Sequence, residues 1–470
     1  PATIRPRYQK RLPVRNPIFL SACFLTAIAA GLLIAESNSH ADDVAQEREN
    51  NWPEFRGPLG DGNASAAKPP IKWNEDEGIR WKIDVPGVGS STPIVWNGRI
   101  YLTSSLKTDK VDAALPKAAD QPERKFGITY PNQFYQLLLL CYDATNGKEI
   151  WRQTVTEAVP HQGHHPDNNF ASATLTTDGK RLYVPFASLG FYCYSLTGEF
   201  IWKRELGQVD TRLSFGEASS LVVHDGKVLI CRDNEGQSYM VALNSESGET
   251  MWRVDRDEPS AWATPLIVKR KDRTHVVTNG KTRIRSYDLG DGALLWECGG
   301  QVSNVTPCPV ADGDLVFCMS GYRGNSAQAI KIDSNGDITG GEQVAWSLNR
   351  STPYVPSPIL HRGLLYFTQT NSGILNCVDA QSGESVIERT RMEGISNLYA
   401  SPVAADGRIY FVGRSGATLV LQHGREFKVL ALNQLDDFFD ASPALAGDTI
   451  YLRGRSHLYA IGKEIPSVIE

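Results

Sequence analysis

Short segments that alternate between polar and apolar residues recur along the chain, separated by turns rich in Gly, Asp and Asn. Each copy begins with small residues, often followed by Pro, and continues through a turn into an apolar stretch that commonly contains Tyr. Eight copies begin at Ser90, Ala171, Ala218, Ala263, Pro307, Pro356, Leu398 and Asp440. Alternation with a period of two residues, interrupted by turn residues, predicts antiparallel β-strands throughout the repeats.

A second segment, ending in a large apolar residue, follows most copies. In "DATNGKEIW" the tryptophan Trp151 stands four positions after the turn glycine Gly147. Equivalent segments end at Trp202, Trp252, Trp296, Trp346 and Ile387. Each unit therefore reads as four short strands, with the tryptophan on the fourth. Four-stranded units at a period of about 40–50 residues predict an all-β fold, a β-propeller, whereas a stacked β-solenoid would have a shorter repeat.

The last copy indicates how the ring closes. It has three strands and no tryptophan segment, while "GIRWKIDVP" (Gly78–Pro86) is an isolated strand that carries Trp81. We expect this N-terminal strand to complete the last blade, which gives an eight-bladed propeller over residues 78–463. Residues 42–77 then form an extended N-terminal segment, residues 106–135 a surface insertion in blade 1, and residues 464–470 a C-terminal tail.

The first 41 residues have the order of a secretory signal peptide. Basic residues precede the apolar stretch Pro17–Ala35, and Ser39–Ala41 supplies small residues at both positions of a cleavage site. An uncleaved anchor helix and a lipid attached at Cys23 are the alternatives. Cleavage predicts a secreted or periplasmic protein without a membrane span. We expect a monomer, and the net charge of −5 argues against nucleic acid as a partner.

Seven cysteines follow residue 41, with no C-x-x-C motif among them. Most stand in apolar strand patterns, where a buried free thiol is the ordinary state. Cys308 and Cys318 are close enough in the sequence to pair across one hairpin, and the sequence leaves this alternative open.

The repeated pattern D-x-x-T/S-G-x-x-x-W, together with DG-x-x-Y, resembles the repeat of quinoprotein-dehydrogenase-like propellers over residues 78–463. This superfamily includes PQQ-dependent alcohol dehydrogenases and the non-catalytic lipoprotein of the outer-membrane β-barrel assembly machine. The segments "NWPEFRGPLGDG" and "TPYVPSP" are similar to those of secreted bacterial PQQ-binding-like repeat proteins, which are frequent in planctomycetes. The resemblance implies the fold, whereas function depends on the residues of the site.

Candidate site residues stand just before the small-residue starts, where loops of such propellers enter one mouth of the central channel. They are polar or aromatic where the repeat needs only small residues. The candidates at these positions for binding a ligand or a partner are Asn169, Glu217, Trp262, Asn304, Tyr354, Asn397, Tyr399 and Asp440, with Asn168 beside them. The segment "GYRGN" adds Arg323 and Asn325, and "LRGR" adds Arg453 and Arg455. Together they predict a pocket. The alternative is that they only satisfy loop backbone groups and join neighbouring blades.

Two functions remain open from the sequence. We expect a binding or interaction scaffold without a cofactor, whose mouth holds an envelope protein or a small-molecule ligand. The alternative, implied by the resemblance, is a PQQ- and calcium-dependent oxidoreductase, with Ca²⁺ held by Glu217, Asn304 or Asp440. The vicinal cysteines and the haem motif found in many such enzymes are absent from the sequence. The histidines of "HQGHHPDN" are further metal candidates: His161, His164 and His165.

Overall fold

The computed structural model describes residues 2–3 and 46–463. Apart from residues 2 and 3, the expected signal peptide lies outside the described residues, as does the tail from residue 464. Among the described residues, no helix is long and apolar enough to span a bilayer.

Eight antiparallel four-stranded sheets follow one another along the chain, and the first strand, β1 (Ile79–Asp84), belongs to the last of them. In chain order, the strands of blades 1 to 4 are β2 (Ile94–Trp96), β3 (Arg99–Val111), β4 (Gln133–Asp143), β5 (Glu149–Ala158), β6 (Thr176–Thr177), β7 (Arg181–Pro185), β8 (Phe191–Ser195), β9 (Phe200–Arg204), β10 (Val222–His224), β11 (Lys227–Arg232), β12 (Ser238–Asn244), β13 (Thr250–Arg256), β14 (Leu266–Lys269), β15 (Thr274–Asn279), β16 (Ile284–Asp288) and β17 (Leu294–Cys298).

Blades 5 to 8 repeat the same order of strands, except that β21 adds a short parallel strand to the outer edge of blade 4. Their strands are β18 (Val310–Asp312), β19 (Leu315–Ser320), β20 (Ser326–Lys331), β21 (Gly336–Asp337), β22 (Val344–Leu348), β23 (Ile359–His361), β24 (Leu364–Thr368), β25 (Ile374–Asp379), β26 (Ser385–Arg391), β27 (Val403–Ala405), β28 (Arg408–Val412), β29 (Ala417–Gln422), β30 (Val429–Gln434), β31 (Ala444–Ala446), β32 (Thr449–Arg453) and β33 (His457–Ile461). The expected all-β, eight-bladed propeller is confirmed.

The outer tryptophans join each blade to the next one. Trp202 lies against Gly248 of the following blade, and a Cβ atom added at this glycine would stand 2.8 Å from the indole ring. The Trp202 indole N–H donates to the carbonyl oxygen of Ser245 at 3.2 Å. The turn glycine has a positive φ of 72° and leaves space for the indole of the preceding blade. This contact explains why Gly and Trp recur together in the repeat.

Ring closure follows the same rule at the junction of blades 8 and 1. Strand β1 pairs antiparallel with β33, with Lys82 opposite Tyr459. Trp81 packs against Gly147 of blade 1, and its indole N–H donates to the Ala144 carbonyl at 3.1 Å. The expected closure of the ring by an N-terminal strand is confirmed.

The insertion in blade 1 is partly strand, because β3 and β4 continue into it and pair with each other as far as Val111 and Gln133. The loop between them contains two 3-10 turns, Ala118–Asp120 and Lys125–Gly127. Two further 3-10 turns stand at Ala187–Leu189 and Arg212–Ser214.

All seven cysteines of the described chain are free and buried. The possible pairing of Cys308 with Cys318 is therefore wrong for this structure. Cys318 lies on β19 within the apolar core, whereas Cys308 precedes β18, and its sulfur accepts a hydrogen bond from the Thr264 backbone N–H at 3.2 Å.

Candidate binding site at the mouth of the central channel

A cavity of about 350 Å³ occupies the centre of the ring. Every blade contributes to the lining from the segment before its first strand, and Phe55, Phe126 and Tyr322 join it from other segments. We call the aromatic part of the lining the mouth and the small polar part the shaft; Phe55 completes the lining.

The shaft is built by one Ser, Thr or Cys from each blade, which we call the inner ring: Thr92, Thr174, Ser220, Thr264, Cys308, Ser357, Ser401 and Ser442. Its side chains accept hydrogen bonds from the backbone N–H of the matching residue in the preceding blade. Seven such bonds, 2.9–3.2 Å long, join blade 1 to blade 2 and so on to blade 8. The small residues at the repeat starts therefore connect blades as well as fitting the narrow axis.

Arg453 makes the corresponding connection between blades 8 and 1. At this junction the Thr92 hydroxyl has no hydrogen-bond partner among the described residues. The buried Arg453 guanidinium donates instead to the Ser91 hydroxyl at 2.9 Å and to the Thr103 carbonyl oxygen. Burial lowers the pKa of Arg453 to about 10. Its side chain does not line the cavity, so the structure gives it a role in closing the ring.

Residues 52–64, which we call the plug, run along the first strands of several blades and reach the cavity at Phe55. The plug pairs with blade 1 through Trp52 and Val95 and with blade 7 through Ala64 and Ala404. Between these contacts, Phe55 lines the cavity. The plug therefore links blades 1 and 7 and supplies one lining residue of the cavity.

Arg56 fastens the plug from within. It is buried, and its guanidinium donates to the backbone carbonyls of Pro402 at 2.9 Å, Pro358 at 2.6 Å and Asp61 at 2.8 Å. Pro358 and Pro402 each follow an inner-ring serine, so Arg56 binds the backbone at the repeat starts of blades 6 and 7. Burial lowers the pKa of Arg56 to about 10.

The mouth is lined by six aromatic side chains: Phe126, Phe215, Trp262, Tyr322, Tyr354 and Tyr399. Tyr322 and Tyr354 are stacked, with ring centroids 4.8 Å apart. The Trp262 indole N–H donates to the Gly216 carbonyl at 2.7 Å, which fixes the orientation of the ring. Phe126 reaches the mouth from the blade 1 insertion and packs against Phe215 with ring centroids 5.5 Å apart.

Charges at the mouth are paired with one another. Arg414 donates to Asp167 at 2.8 Å, and its Nε lies 2.7 Å from an Asp440 oxygen. Burial raises the pKa of Asp440. Burial also acts to raise the pKa of Asp167, but hydrogen bonds from Arg414 and Tyr399 hold that pKa below the ordinary value. The Tyr399 hydroxyl donates to Asp167 at 2.9 Å. Both carboxylates of the cavity lining are thus engaged by the protein itself.

Four of the sequence-predicted residues meet in this cavity: Trp262, Tyr354, Tyr399 and Asp440, together with the neighbouring Asn168. The sequence reasoning missed Phe55, Phe126, Asp167, Phe215, Tyr322 and Arg414. Of these, Asp167 stands next to Asn168 and Tyr322 within "GYRGN", so both were adjacent to residues that had been singled out. Nothing in the repeat points to Phe126 of the insertion or to Phe55 of the plug.

The other predicted residues lie outside the cavity lining. Asn169 donates to the Ser90 hydroxyl at 2.8 Å, and Asn325 accepts from the Thr352 backbone N–H at 3.0 Å. Asn304 is buried in a left-handed conformation with φ of 54°. Asn397 and Arg323 are exposed, and the Arg323 guanidinium lies 5.3 Å from the centre of the Tyr322 ring.

Glu217 also lies outside the cavity lining. Its carboxylate accepts from the buried Arg232 at 2.8 Å and from the Ser188 backbone N–H at 2.9 Å. These bonds tie blade 3 to the 3-10 turn of blade 2, which is a structural role.

The three histidines do not converge on one point. His161 Nε2 lies 3.0 Å from the Val209 carbonyl oxygen, and His164 Nδ1 lies 2.8 Å from that of His165. Only His165 lines the cavity, where burial lowers its pKa. Within residues 2–3 and 46–463, no group of three or more His, Cys, Asp or Glu side chains is arranged to hold a metal ion.

The cavity does not fit PQQ with calcium. Ca²⁺ takes six to eight oxygen ligands, and the suggested set of Glu217, Asn304 and Asp440 is not brought together. PQQ carries three carboxylates, yet no Lys or Arg is among the described residues that line the cavity. A multiply charged anion placed here would lose hydration without finding an opposite charge.

The ring of four-stranded blades, with tryptophans packed on the turn glycines of the next blade, defines a PQQ-like β-propeller. The chain belongs to the family described as outer membrane protein assembly factor BamB, whose family model matches residues 137–388. BamB of Yersinia pestis is 23% identical over 341 residues, which cover 68% of this chain and 78% of that protein.

Solved structures agree on the fold. BamB from Moraxella catarrhalis has a TM-score of 0.54 at 13% identity, covering 82% of this chain and 99% of that one. Quinohemoprotein alcohol dehydrogenase from Comamonas testosteroni has a TM-score of 0.61 at 11% identity, covering 89% of this chain and 82% of that one. At these identities the similarity shows the fold alone, so the function must be argued from the site.

Proposed function

We propose that this protein is a binding scaffold of the cell envelope, which holds a small-molecule ligand or a segment of an envelope partner at the mouth of its channel. The observation that carries the proposal is the cavity at the centre of the ring, whose lining contains six aromatic side chains at the mouth. Aromatic side chains supply much of the energy of ligand sites and interfaces. The carboxylates of the lining are engaged by Arg414, and no metal-binding cluster is found among the described residues.

The envelope location is part of the same proposal. It is supported by the basic, apolar and small-residue order of residues 1–41, and by relatives named as outer membrane assembly factors. We expect the exported protein to begin at Asp42, because cleavage follows Ser39–Ala41. Intact-mass measurement of protein recovered from the host envelope checks this. A mass that retains the apolar stretch would contradict it.

The mouth can be tested by affinity capture from the native host. Replacing Trp262 and Tyr354 by alanine is expected to reduce retention of at least one envelope component by tenfold or more, because both flat contact surfaces are removed. The matched control replaces Phe200, which is 58% exposed on the outer strand β9, and should retain the same components as the unchanged protein. Equal retention by all three proteins would contradict a binding role for the mouth.

A further inference from the structure

The inner ring presents hydrogen-bond donors to the cavity. Thr174, Ser220, Ser401 and Ser442 line the shaft, each at least nine-tenths buried. Each hydroxyl oxygen already accepts a backbone N–H from the preceding blade. Among the hydrogen bonds of the described chain, none of these four hydroxyls donates to a protein acceptor. A hydroxyl carries one proton, so four protons remain available to an occupant of the shaft.

These donors limit what can enter. A purely apolar molecule would exclude water from these buried hydroxyls and leave their protons without an acceptor, which is unfavourable. Sites that hydrogen-bond their ligand reject analogues that lack the matching polar atoms. The occupant of the shaft must therefore carry oxygen or nitrogen acceptors around its edge.

The charges of the mouth limit the occupant further. Asp167 and Asp440 are both bound to Arg414, whose guanidinium also lies 3.9 Å from the centre of the Tyr399 ring. Among the described lining residues, a cationic ligand finds no carboxylate that is not already bound to Arg414, and an anionic ligand finds no Lys or Arg. Burial of an unpaired charge is costly, so an uncharged ligand is favoured.

The aromatic mouth supplies flat apolar faces beside this polar shaft. The Trp262 ring is held by its bond to Gly216, and Tyr354 is held by stacking on Tyr322. A molecule that combines an apolar C–H face with a rim of hydroxyl and ether oxygens matches both layers. A sugar ring has this distribution, and 350 Å³ lies within the usual size of ligand pockets.

We propose that the channel binds a neutral sugar, whose C–H face stacks on Trp262 while its oxygens accept hydrogen bonds from the inner ring. This inference rests on the proposed function, since it names the ligand class of the same site. The sugar binds either as a free mono- or disaccharide or as the end of a glycan chain.

The test is calorimetric titration of the folded protein with methyl glucoside, N-acetylglucosamine, cellobiose and chitin oligosaccharides. Glucuronate, glucosamine and benzyl alcohol are the anionic, cationic and apolar controls. We expect saturable binding of a neutral sugar, at least tenfold tighter than of any control. Tighter binding of the oligosaccharides indicates a chain end as the source, whereas equal affinity for the monosaccharide indicates a free sugar.

Two variants make the test specific. Trp262→Ala should weaken sugar binding at least tenfold, whereas Phe200→Ala on the outer strand should leave it unchanged.

Cys308→Ser converts the one thiol of the inner ring into the hydroxyl that other blades carry, and should tighten sugar binding about threefold or more. Bound sugar should also slow alkylation of Cys308, the one cysteine among the cavity-lining residues of the described chain. Thermal melting of each variant verifies folding.

The outcomes separate the two proposals. Failure of every neutral sugar to bind, or stronger binding of a charged or apolar control, would overturn the sugar assignment. If the Trp262 and Tyr354 substitutions still abolish capture of an envelope component in that case, the scaffold function stands with another ligand. If neither sugar binding nor capture depends on these residues, both proposals are overturned.

Discussion

Replacing Trp81 by alanine is expected to lower the free energy of unfolding by about 3–5 kcal/mol. Trp81 is 9% exposed, packs on Gly147 of blade 1, and lies 6.1 Å from the Tyr451 ring within blade 8. The substitution removes a large buried side chain at the junction of blades 8 and 1, and it leaves the Ala144 carbonyl without the indole donor. Urea unfolding followed by circular dichroism measures the change.

Trp262→Ala is the matched control for Trp81→Ala. It removes the same side chain from the half-buried mouth, and should cost less than half as much stability. If the urea unfolding curves of Trp81→Ala and the unchanged protein have equal midpoints and slopes, closure of the ring through β1 is contradicted.

Replacing Arg56 by alanine is expected to destabilise the protein by about 2–4 kcal/mol, because three carbonyls lose their donor at about 1–3 kcal/mol each. The relief of a buried charge offsets part of this loss. The plug should also loosen, which exposes the cavity beside Phe55. Urea unfolding gives the first effect. The alkylation rate of Cys308 gives the second, and we expect it to rise at least tenfold because exposure outweighs the loss of the Arg56 charge, which acts to lower the pKa of this buried thiol.

Arg350→Ala provides the control for Arg56→Ala. Arg350 forms a surface ion pair with Glu388, with both side chains more than half exposed, and such pairs contribute little to stability. Unchanged stability together with unchanged Cys308 reactivity in Arg56→Ala would contradict the role assigned to the plug.

The propeller could be predicted from the sequence because each blade repeats the same local contact. A turn glycine such as Gly248 must leave space for the tryptophan of the blade before it, here Trp202, so the pair recurs at a fixed spacing. The strand around Trp81 could be assigned to the last blade for the same reason. The path of the plug could not be predicted from the sequence, because Trp52 and Arg56 stand outside the repeat. Their contacts with blades 1, 6 and 7 are seen only in the structure.

The site was predicted only where position in the repeat decides it. Trp262, Tyr354, Tyr399 and Asp440 stand at or next to a repeat start, and they line the cavity. Glu217 occupies an equivalent position, but its side chain turns to Arg232.

Ion pairs between residues far apart in the sequence could not be predicted. Asp167 and Arg414 are 247 positions apart and meet only because the loop after blade 1 crosses to blade 7. The Ser, Thr and Cys residues of the inner ring were noticed in the sequence, but only as small residues that fit near the axis.

Titration of the purified protein with PQQ in the presence of Ca²⁺ decides whether the channel mouth binds its ligand without quinone chemistry. We expect no saturable change in quinone absorbance and no dye-linked alcohol oxidation, because the carboxylates of the described lining are engaged by Arg414 and no Lys or Arg is among the described lining residues to pair with PQQ. Micromolar or tighter PQQ binding that Asp440→Ala removes would contradict this expectation and make the protein a quinoprotein oxidoreductase.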